Sequence, residues 1–174
     1  MSEAVDVVIR EAIPEDAEAL LKLSQQVALE TEYLVMDEAG MALTPEMLAV
    51  HLENLYESPN NLLLVVFVND QLVGNASVKA SPEYRVAHIG EIGISILREF
   101  WGIGLGSLLM EEIVYWAQES QVIRRLELTV QAQNERAIHL YQKFGFELEA
   151  TMVRGARDNQ GAFLDVNLMS LMID

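Results

Sequence analysis

Apolar residues run continuously or alternate with polar ones in seven short segments, a pattern typical of strands in a partly buried β-sheet. The segments are Val5–Ile9, Leu62–Val68, Gln71–Ala80, Val86–Leu97, Arg125–Val130, Phe146–Val153 and Phe163–Met172. The pair Asn69-Asp70 predicts a hairpin between the second and third strands. The run Asp158–Gly161 predicts the turn between the last two strands.

Elsewhere apolar residues recur every three or four positions, which predicts four amphipathic helices. One helix begins at Pro14, and the others cover Pro45–Tyr56, Leu105–Ser120 and Asn134–Phe144. Thr44 precedes the second helix as an N-cap. The order β-α-α-β-β-β-α-β-α-β-β predicts a mixed α/β fold, with helices on both faces of one sheet and a single domain over residues 1–174.

The composition supports a folded core and excludes several kinds of site. The 174 residues are 51% hydrophobic and include no cysteine, which excludes disulfides, thiolate metal sites and a cysteine nucleophile. The three histidines lack the spacing of metal ligands, so we expect no metal. We expect a soluble, cytoplasmic protein, because no apolar run is long enough to span a bilayer and the N-terminus does not resemble a signal peptide. The net charge of −16 argues against nucleic-acid binding.

The run Trp101-Gly102-Ile103-Gly104-Leu105-Gly106-Ser107 lies between a predicted strand and the third predicted helix. Glycines allow a close backbone approach, and the free N–H groups that open a helix attract an anion such as phosphate. A P-loop is excluded because the chain contains no Gly-Lys pair. A dinucleotide fingerprint fits poorly, because Gly106 comes one residue early and several elements precede the loop.

A second motif, Asn134-Glu135-Arg136-Ala137-Ile138-His139-Leu140-Tyr141-Gln142-Lys143-Phe144-Gly145-Phe146, follows the next predicted strand. Together with the strand Glu91–Leu97 and the glycine loop, this motif resembles the GNAT superfamily of acetyl-CoA-dependent N-acetyltransferases. The resemblance covers nearly the whole chain, since the order of elements also agrees. Glu149, Thr151, Arg154 and Asp165 resemble the branch that acts on amino acids, small amines or protein N-termini.

The resemblance implies a mixed, mostly antiparallel sheet whose strands separate where acetyl-CoA binds. Backbone amides of the glycine loop would hold the pyrophosphate, and the pantetheine arm would pair with the backbone of residues 94–96. Trp101 departs from the family pattern, which usually has Gln or Arg there; the phosphate contacts are mainly made by the backbone. The implied cofactor-binding residues are Ile94, Ser95, Ile96, Trp101, Gly102, Ile103, Gly104, Leu105, Gly106, Ser107, Asn134, Arg136, Ala137, Tyr141 and Lys143.

Tyr141 is the candidate general acid, because a phenol can protonate the departing thiolate. Its spacing on the helix also suits an aromatic residue of the core. Asn134 either binds the pantetheine amide or caps the helix, and one side chain can do both. Arg136 and Lys143 either reach cofactor phosphates or are ordinary surface charges, and Arg98 is a similar but weaker candidate.

Glu91 is the leading candidate for the general base, and His88 on the same strand is the second. Both residues could instead lie on the sheet surface. Four acids in the segment where this family usually builds its acceptor pocket could attract a cationic amine or simply be solvated. They are Glu30, Glu32, Asp37 and Glu38.

These residues predict direct transfer of an acetyl group from acetyl-CoA to a primary amine in a ternary complex. The acceptor would be an amino acid, a small amine or a peptide amine, and the sequence does not distinguish among them. A non-catalytic acetyl-CoA sensor is the alternative, and a nucleotide-dependent oxidoreductase is disfavoured by the glycine spacing. A homodimer is also compatible with the resemblance.

Overall fold

The computed structural model describes residues 4–31 and 43–174, and the predicted order of elements is confirmed there. The strands are β1 (Val7–Glu11), β2 (Leu62–Val68), β3 (Gln71–Lys79), β4 (Ile89–Ile96), β5 (Arg125–Gln131), β6 (Glu147–Arg157) and β7 (Phe163–Met172). The α-helices are α1 (Ala17–Glu30), α2 (Pro45–Glu57), α3 (Leu105–Ser120) and α4 (Glu135–Lys143). Short 3-10 turns lie at Pro14–Asp16 and Arg98–Phe100.

Local side chains set several of these boundaries. The Thr44 hydroxyl accepts the main-chain N–H of Met47 at 3.2 Å, which caps α2 as the sequence predicts. Asn69 and Asp70 both have positive φ, 48° and 67°, as a two-residue hairpin between β2 and β3 requires. Gly145 has a φ of 93° directly after α4 and its cap residue Phe144.

The seven strands form one sheet in the order β1-β2-β3-β4-β5-β7-β6. Every neighbouring pair is antiparallel except β4 and β5, which run parallel. Parallel neighbours need a crossover connection, and α3 supplies it. The predicted mixed, mostly antiparallel sheet is therefore confirmed.

The sheet separates between its two parallel strands. Only Ile89–Glu91 of β4 pair with Arg125–Glu127 of β5, and the register records no further pair between these strands. The carboxyl-terminal half of β4 therefore has β3 on one side and an open space on the other. The predicted separation lies directly before the glycine loop.

The hydrophobic core holds α3 in place behind this opening. Leu109, Met110, Ile113 and Ala117 of α3 have no solvent exposure, because they pack in the main cluster of apolar side chains. The helix packs against β4, whereas α1 packs against β3 and α2 against β2. The start of α3 is thus fixed relative to the end of β4.

Several strand boundaries differ from the sequence prediction, most of them by one or two residues. β1 begins at Val7 instead of Val5, and β4 begins at Ile89 instead of Val86. The segment before β4 forms turns, and the Asn60 side chain holds it by donating to the carbonyls of Ser81 and Ala87. β6 continues past Val153 to Arg157, with a register shift on the way that apolar patterning alone does not reveal.

None of the helices in the two described ranges combines the length and apolarity needed to cross a bilayer.

Candidate active site

The separation of β4 from β5 opens a cleft with a volume of about 560 Å³. Small-molecule sites typically measure roughly 300–1,000 Å³. The cleft walls come from residues 92–96 of β4, 129–130 of β5, 104–107 of the α3 start and 133–137 around the α4 start. The cleft therefore joins the open edge of a strand to the N-termini of two helices.

The glycine loop presents unblocked backbone donors to the cleft. Gly104 caps α3 with a left-handed φ of 88°, and a Cβ added there would meet no atom within 4 Å. The first turn of α3 contains no acidic residue that would neutralise the positive end of the helix dipole. Its free N–H groups form a site suited to a phosphate or another anion.

The α3 start packs closely on α4, which fixes the shape of the cleft. A Cβ at Gly106 would lie 3.1 Å from Cδ2 of Leu140, so a larger residue would require the Leu140 side chain to shift. Lys143 donates to the Ser107 hydroxyl at 3.3 Å. Asn134 accepts the N–H of Ala137 at 3.2 Å, which gives it the capping role that the sequence left open.

The edge of β4 that faces the cleft carries main-chain polar groups. The N–H of Leu97 donates to the carbonyl of Val73 on the β3 side at 2.9 Å. Since residues of an antiparallel strand alternate in direction, the backbone groups of Ile94 and Ile96 point away from β3, towards the cleft. The indole N–H of Trp101 donates to the Ile96 carbonyl at 2.8 Å.

Tyr141 lies on the cleft wall inside an apolar environment. The residue is 9% exposed, and its ring packs near Phe146, with the ring centroids 6.0 Å apart. Burial raises the pKa of the phenol to about 12. Tyr141 therefore stays protonated at neutral pH and keeps a proton that it can donate.

The structure brings together nearly all the residues that the sequence assigns to cofactor binding. Ile94, Ser95, Ile96, Trp101, Gly102, Gly104, Leu105, Gly106, Ser107, Asn134, Arg136, Ala137 and Tyr141 all line the cleft. Lys143 reaches the loop through Ser107. Ile103 is 56% exposed and is not part of the cleft wall.

The candidate bases and Glu30 lie apart from the cleft lining. Glu91 and His88 are both exposed. Glu91 lies in the part of β4 that pairs with β5, and His88 lies in the turn before β4, so both precede the opening. Glu30 ends α1, where its carboxylate accepts the main-chain N–H of Arg98 at 2.8 Å. Glu32, together with residues 37 and 38, falls outside the described residues. The catalytic role of Glu91 stays a prediction.

A charged cluster beside Glu91 was not expected from the sequence. Glu91 is the register partner of Glu127, which accepts a hydrogen bond from Arg125 at 2.8 Å. Arg125 also holds Glu149, which additionally accepts the hydroxyl of Ser170. Hydrogen bonds from Arg125 and then Ser170 lower the pKa of Glu149 to about 2. The cluster forms because the register places these side chains side by side.

Several cleft residues were missed by the sequence reasoning. They include Val27 and Thr31 of the α1 end, Phe100, Thr129 and Gln133. The position of β5 opposite the open half of β4 could have indicated Thr129. No motif marks the end of α1, because only tertiary packing brings it to the cleft. Among the described residues, no group of three potential ligands could hold a metal ion.

Comparison with known proteins identifies related sequences. The model of the Acetyltransferase (GNAT) family matches residues 28–146, more than half of the chain. The L-amino acid N-acetyltransferase AaaT of Escherichia coli (strain K12) is 28% identical over 165 residues, which are 95% of this chain and 97% of that relative.

Solved structures share the fold. An acetyltransferase of the GNAT family from Streptococcus pneumoniae is 43% identical, with a TM-score of 0.95 over 97% of this chain and 100% of that chain. A phosphinothricin acetyltransferase from Sinorhizobium meliloti, solved with acetyl-CoA, is 18% identical, with a TM-score of 0.82 over 96% of this chain and 88% of that chain. At this lower identity the likeness shows the fold alone.

Proposed function

Because the chain belongs to the GNAT family of acetyltransferases, we propose that it transfers an acetyl group from acetyl-CoA to a primary amine by direct attack in a ternary complex. The observation that carries the proposal is the cleft between β4 and β5, which leads from an open strand edge to the glycine loop. The thioester and the phosphates of one extended molecule would occupy the two parts of this cleft.

The phosphate end fits the glycine loop. The amides of residues 102–107 would hold the pyrophosphate, supported by the positive end of α3 and by the room in front of Gly104. These fixed dipoles act at contact distance, whereas the net charge of −16 acts from afar and is screened by salt. An acidic protein can therefore bind an anionic co-substrate.

The pantetheine arm fits the open edge of β4. Ile94 and Ile96 offer main-chain groups to an extended amide chain, which would take the place of a strand partner. A strand N–H that reaches the thioester carbonyl would stabilise the oxyanion of the tetrahedral intermediate, an effect often worth about 3–4 kcal/mol. The Asn134 cap leaves its amide N–H₂ group available to the arm.

Tyr141 is proposed as the general acid. The amine nitrogen attacks the thioester carbon, the C–S bond breaks, and the thiolate takes the phenolic proton. The position of Tyr141 on the cleft wall supports this role, and its phenol is protonated whenever the thiolate forms. The burial that raises its pKa also disfavours the phenolate left after proton transfer, so the support comes from its position. The proton lost by the amine goes to Glu91, directly or through water, with His88 as the second candidate.

The acceptor is proposed to be the amine of an amino acid, a small amine or a peptide. The similarity to AaaT, an L-amino acid N-acetyltransferase, supports the first of these. Glu32, which follows α1 in the sequence, would attract a cationic amine, whereas the Glu30 carboxylate already accepts the main-chain N–H of Arg98. Amino acids should therefore be screened first, with amines and short peptides beside them.

Calorimetric titration with acetyl-CoA tests the binding step, with NADH as the control ligand. We expect saturable binding of acetyl-CoA alone, followed by thiol release when an accepted amine is added. Binding without thiol release from any amine in a broad panel would contradict the transferase proposal. The absence of binding to folded protein would show that the glycine loop serves packing only.

The substitution Tyr141→Phe tests the acid. We expect kcat to fall by about 10²-fold, because the thiolate leaves without its proton donor. The dissociation constant for acetyl-CoA should change by less than about twofold, because the ring and its packing remain. Single-turnover measurements must show that chemistry limits the rate; an unchanged rate would then remove Tyr141 from the mechanism.

A further inference from the structure

Trp101 ties the glycine loop to the open edge of β4. Its indole N–H donates to the Ile96 carbonyl at 2.8 Å. That carbonyl is one of the main-chain groups of β4 that face the cleft, and no residue of β5 pairs with β4 at this position. The ring is therefore held at a fixed place on the cleft wall.

Two arginines lie over this ring. The guanidinium carbons of Arg98 and Arg136 are 5.4 Å and 5.2 Å from the centroid of the Trp101 ring, within the range of cation–π attraction. Arg98 is also bound to the end of α1, because its main-chain N–H and its guanidinium both donate to Glu30. The cluster Arg98–Trp101–Arg136 thus runs from α1 to the start of α4.

Arg136 has an unfavourable electrostatic position unless an anion is nearby. It lies in the first turn of α4, where the helix dipole repels a cation, and the start of α3 lies on the same cleft. Its guanidinium nitrogen is 3.8 Å from the point where a Cβ would stand on Gly102. Within residues 4–31 and 43–174 it forms no ion pair with a carboxylate. The Trp101 ring is the contact that holds this charge beside the loop.

We propose that Trp101 is a positioning residue that holds the Arg136 guanidinium against the phosphates of the co-substrate. Arg98, fixed by Glu30, supports the ring from the α1 end. The proposal rests on the function proposed above and extends it, because it assigns part of the phosphate affinity to a side-chain cluster instead of the loop amides.

A double-mutant cycle on CoA binding tests the proposal. The variants are Trp101→Leu, Arg136→Gln and the double variant, and the dissociation constant for CoA is measured by calorimetry at low and high salt. We expect each single change to weaken binding about tenfold and the double change to weaken it hardly further, because both remove one interaction. Both single variants should also lose salt dependence to the same extent.

Trp116 on α3 provides the matched control, and Trp116→Phe should leave CoA affinity unchanged. Trp101→Phe keeps a ring but loses the bond to Ile96, so its affinity should fall between those of the wild type and Trp101→Leu. It also serves as the test variant if the leucine substitution does not fold. If the double variant instead binds CoA about a hundredfold more weakly than the wild type, the two substitutions act independently and the proposal is overturned.

The two proposals fail in different ways. CoA binding that follows the coupled pattern, without acetyl transfer to any amine, would contradict the proposed function and leave the role of Trp101 intact. Acetyl transfer that persists while the cycle is additive would contradict only the role of Trp101.

Discussion

At the scale of single residues, the surroundings of Tyr141 decide what its phenol can do. The helical spacing of Tyr141 favours a core aromatic residue, whereas the motif that contains it favours a catalytic role. The structure places it on the cleft wall and in the core at once, with a pKa raised to about 12 by burial. The apolar environment therefore keeps the phenol protonated, and it also makes the phenol a weaker acid than an exposed tyrosine.

The raised pKa predicts the pH dependence of the reaction. The rate should rise with pH as the acceptor amine loses its proton, near pH 8 for the α-amine of a peptide. It should then stay level through pH 10.5, because the phenol remains protonated up to about pH 12. Initial rates corrected for thioester hydrolysis would measure this profile. A falling limb near pH 10 that is missing in Tyr141→Phe would contradict the role of burial.

At the scale of elements, the N-cap residue of α4, Asn134, has two roles that can be separated by mutation. The side-chain oxygen of Asn134 caps the helix, while its side-chain amide nitrogen is the group proposed to bind the pantetheine arm. Asn134→Ala should lower the free energy of unfolding by about 1 kcal/mol and weaken acetyl-CoA binding. Asn134→Asp and Asn134→Ser keep a capping oxygen but lose the amide donor.

Urea denaturation of these three variants measures the capping role, and calorimetry with acetyl-CoA measures the binding role. We expect Asp and Ser at this position to restore the stability that Ala loses, but not the affinity for acetyl-CoA. Affinity that recovers together with stability would mean that Asn134 acts on the co-substrate only by capping α4.

Many of the helix and strand boundaries could be predicted from the sequence, because neighbouring residues determine them. Thr44 and the pair Asn69-Asp70 impose a cap and a hairpin through their own side chains and backbone. The bulge that extends β6 could not be predicted, since it depends on Asp165 of β7 accepting the N–H of Arg154, a residue with a φ of 57°. The sequence assigned Glu30 to the acceptor because of its charge. Its contact with Arg98 could not be predicted, because the two residues are 68 positions apart in the sequence.

At the scale of the whole molecule, the large negative charge coexists with a few carboxylates that are held in their ionised form. Glu149 is bound by Arg125 and Ser170. Asp16 accepts hydrogen bonds from Arg10 and from the N–H of Ile13; burial opposes its ionisation, but these bonds outweigh the burial and lower its pKa. These pairs join β5 to β6 and β1 to the turn before α1. They therefore link the stability of the molecule to pH.

The sign of this linkage predicts acid unfolding. The pKa of Glu149 falls from 4.5 to about 2 on folding, so its contribution is complete above about pH 4.5 and is lost as the pH falls towards 2. Urea midpoints measured between pH 7 and pH 2.5 should therefore decline most steeply below pH 4.5. Glu149→Gln should flatten that decline, while Glu147→Gln, on the same strand without an ion pair in the described part, should not. Equal slopes in the two variants would show that this contact contributes nothing to acid stability.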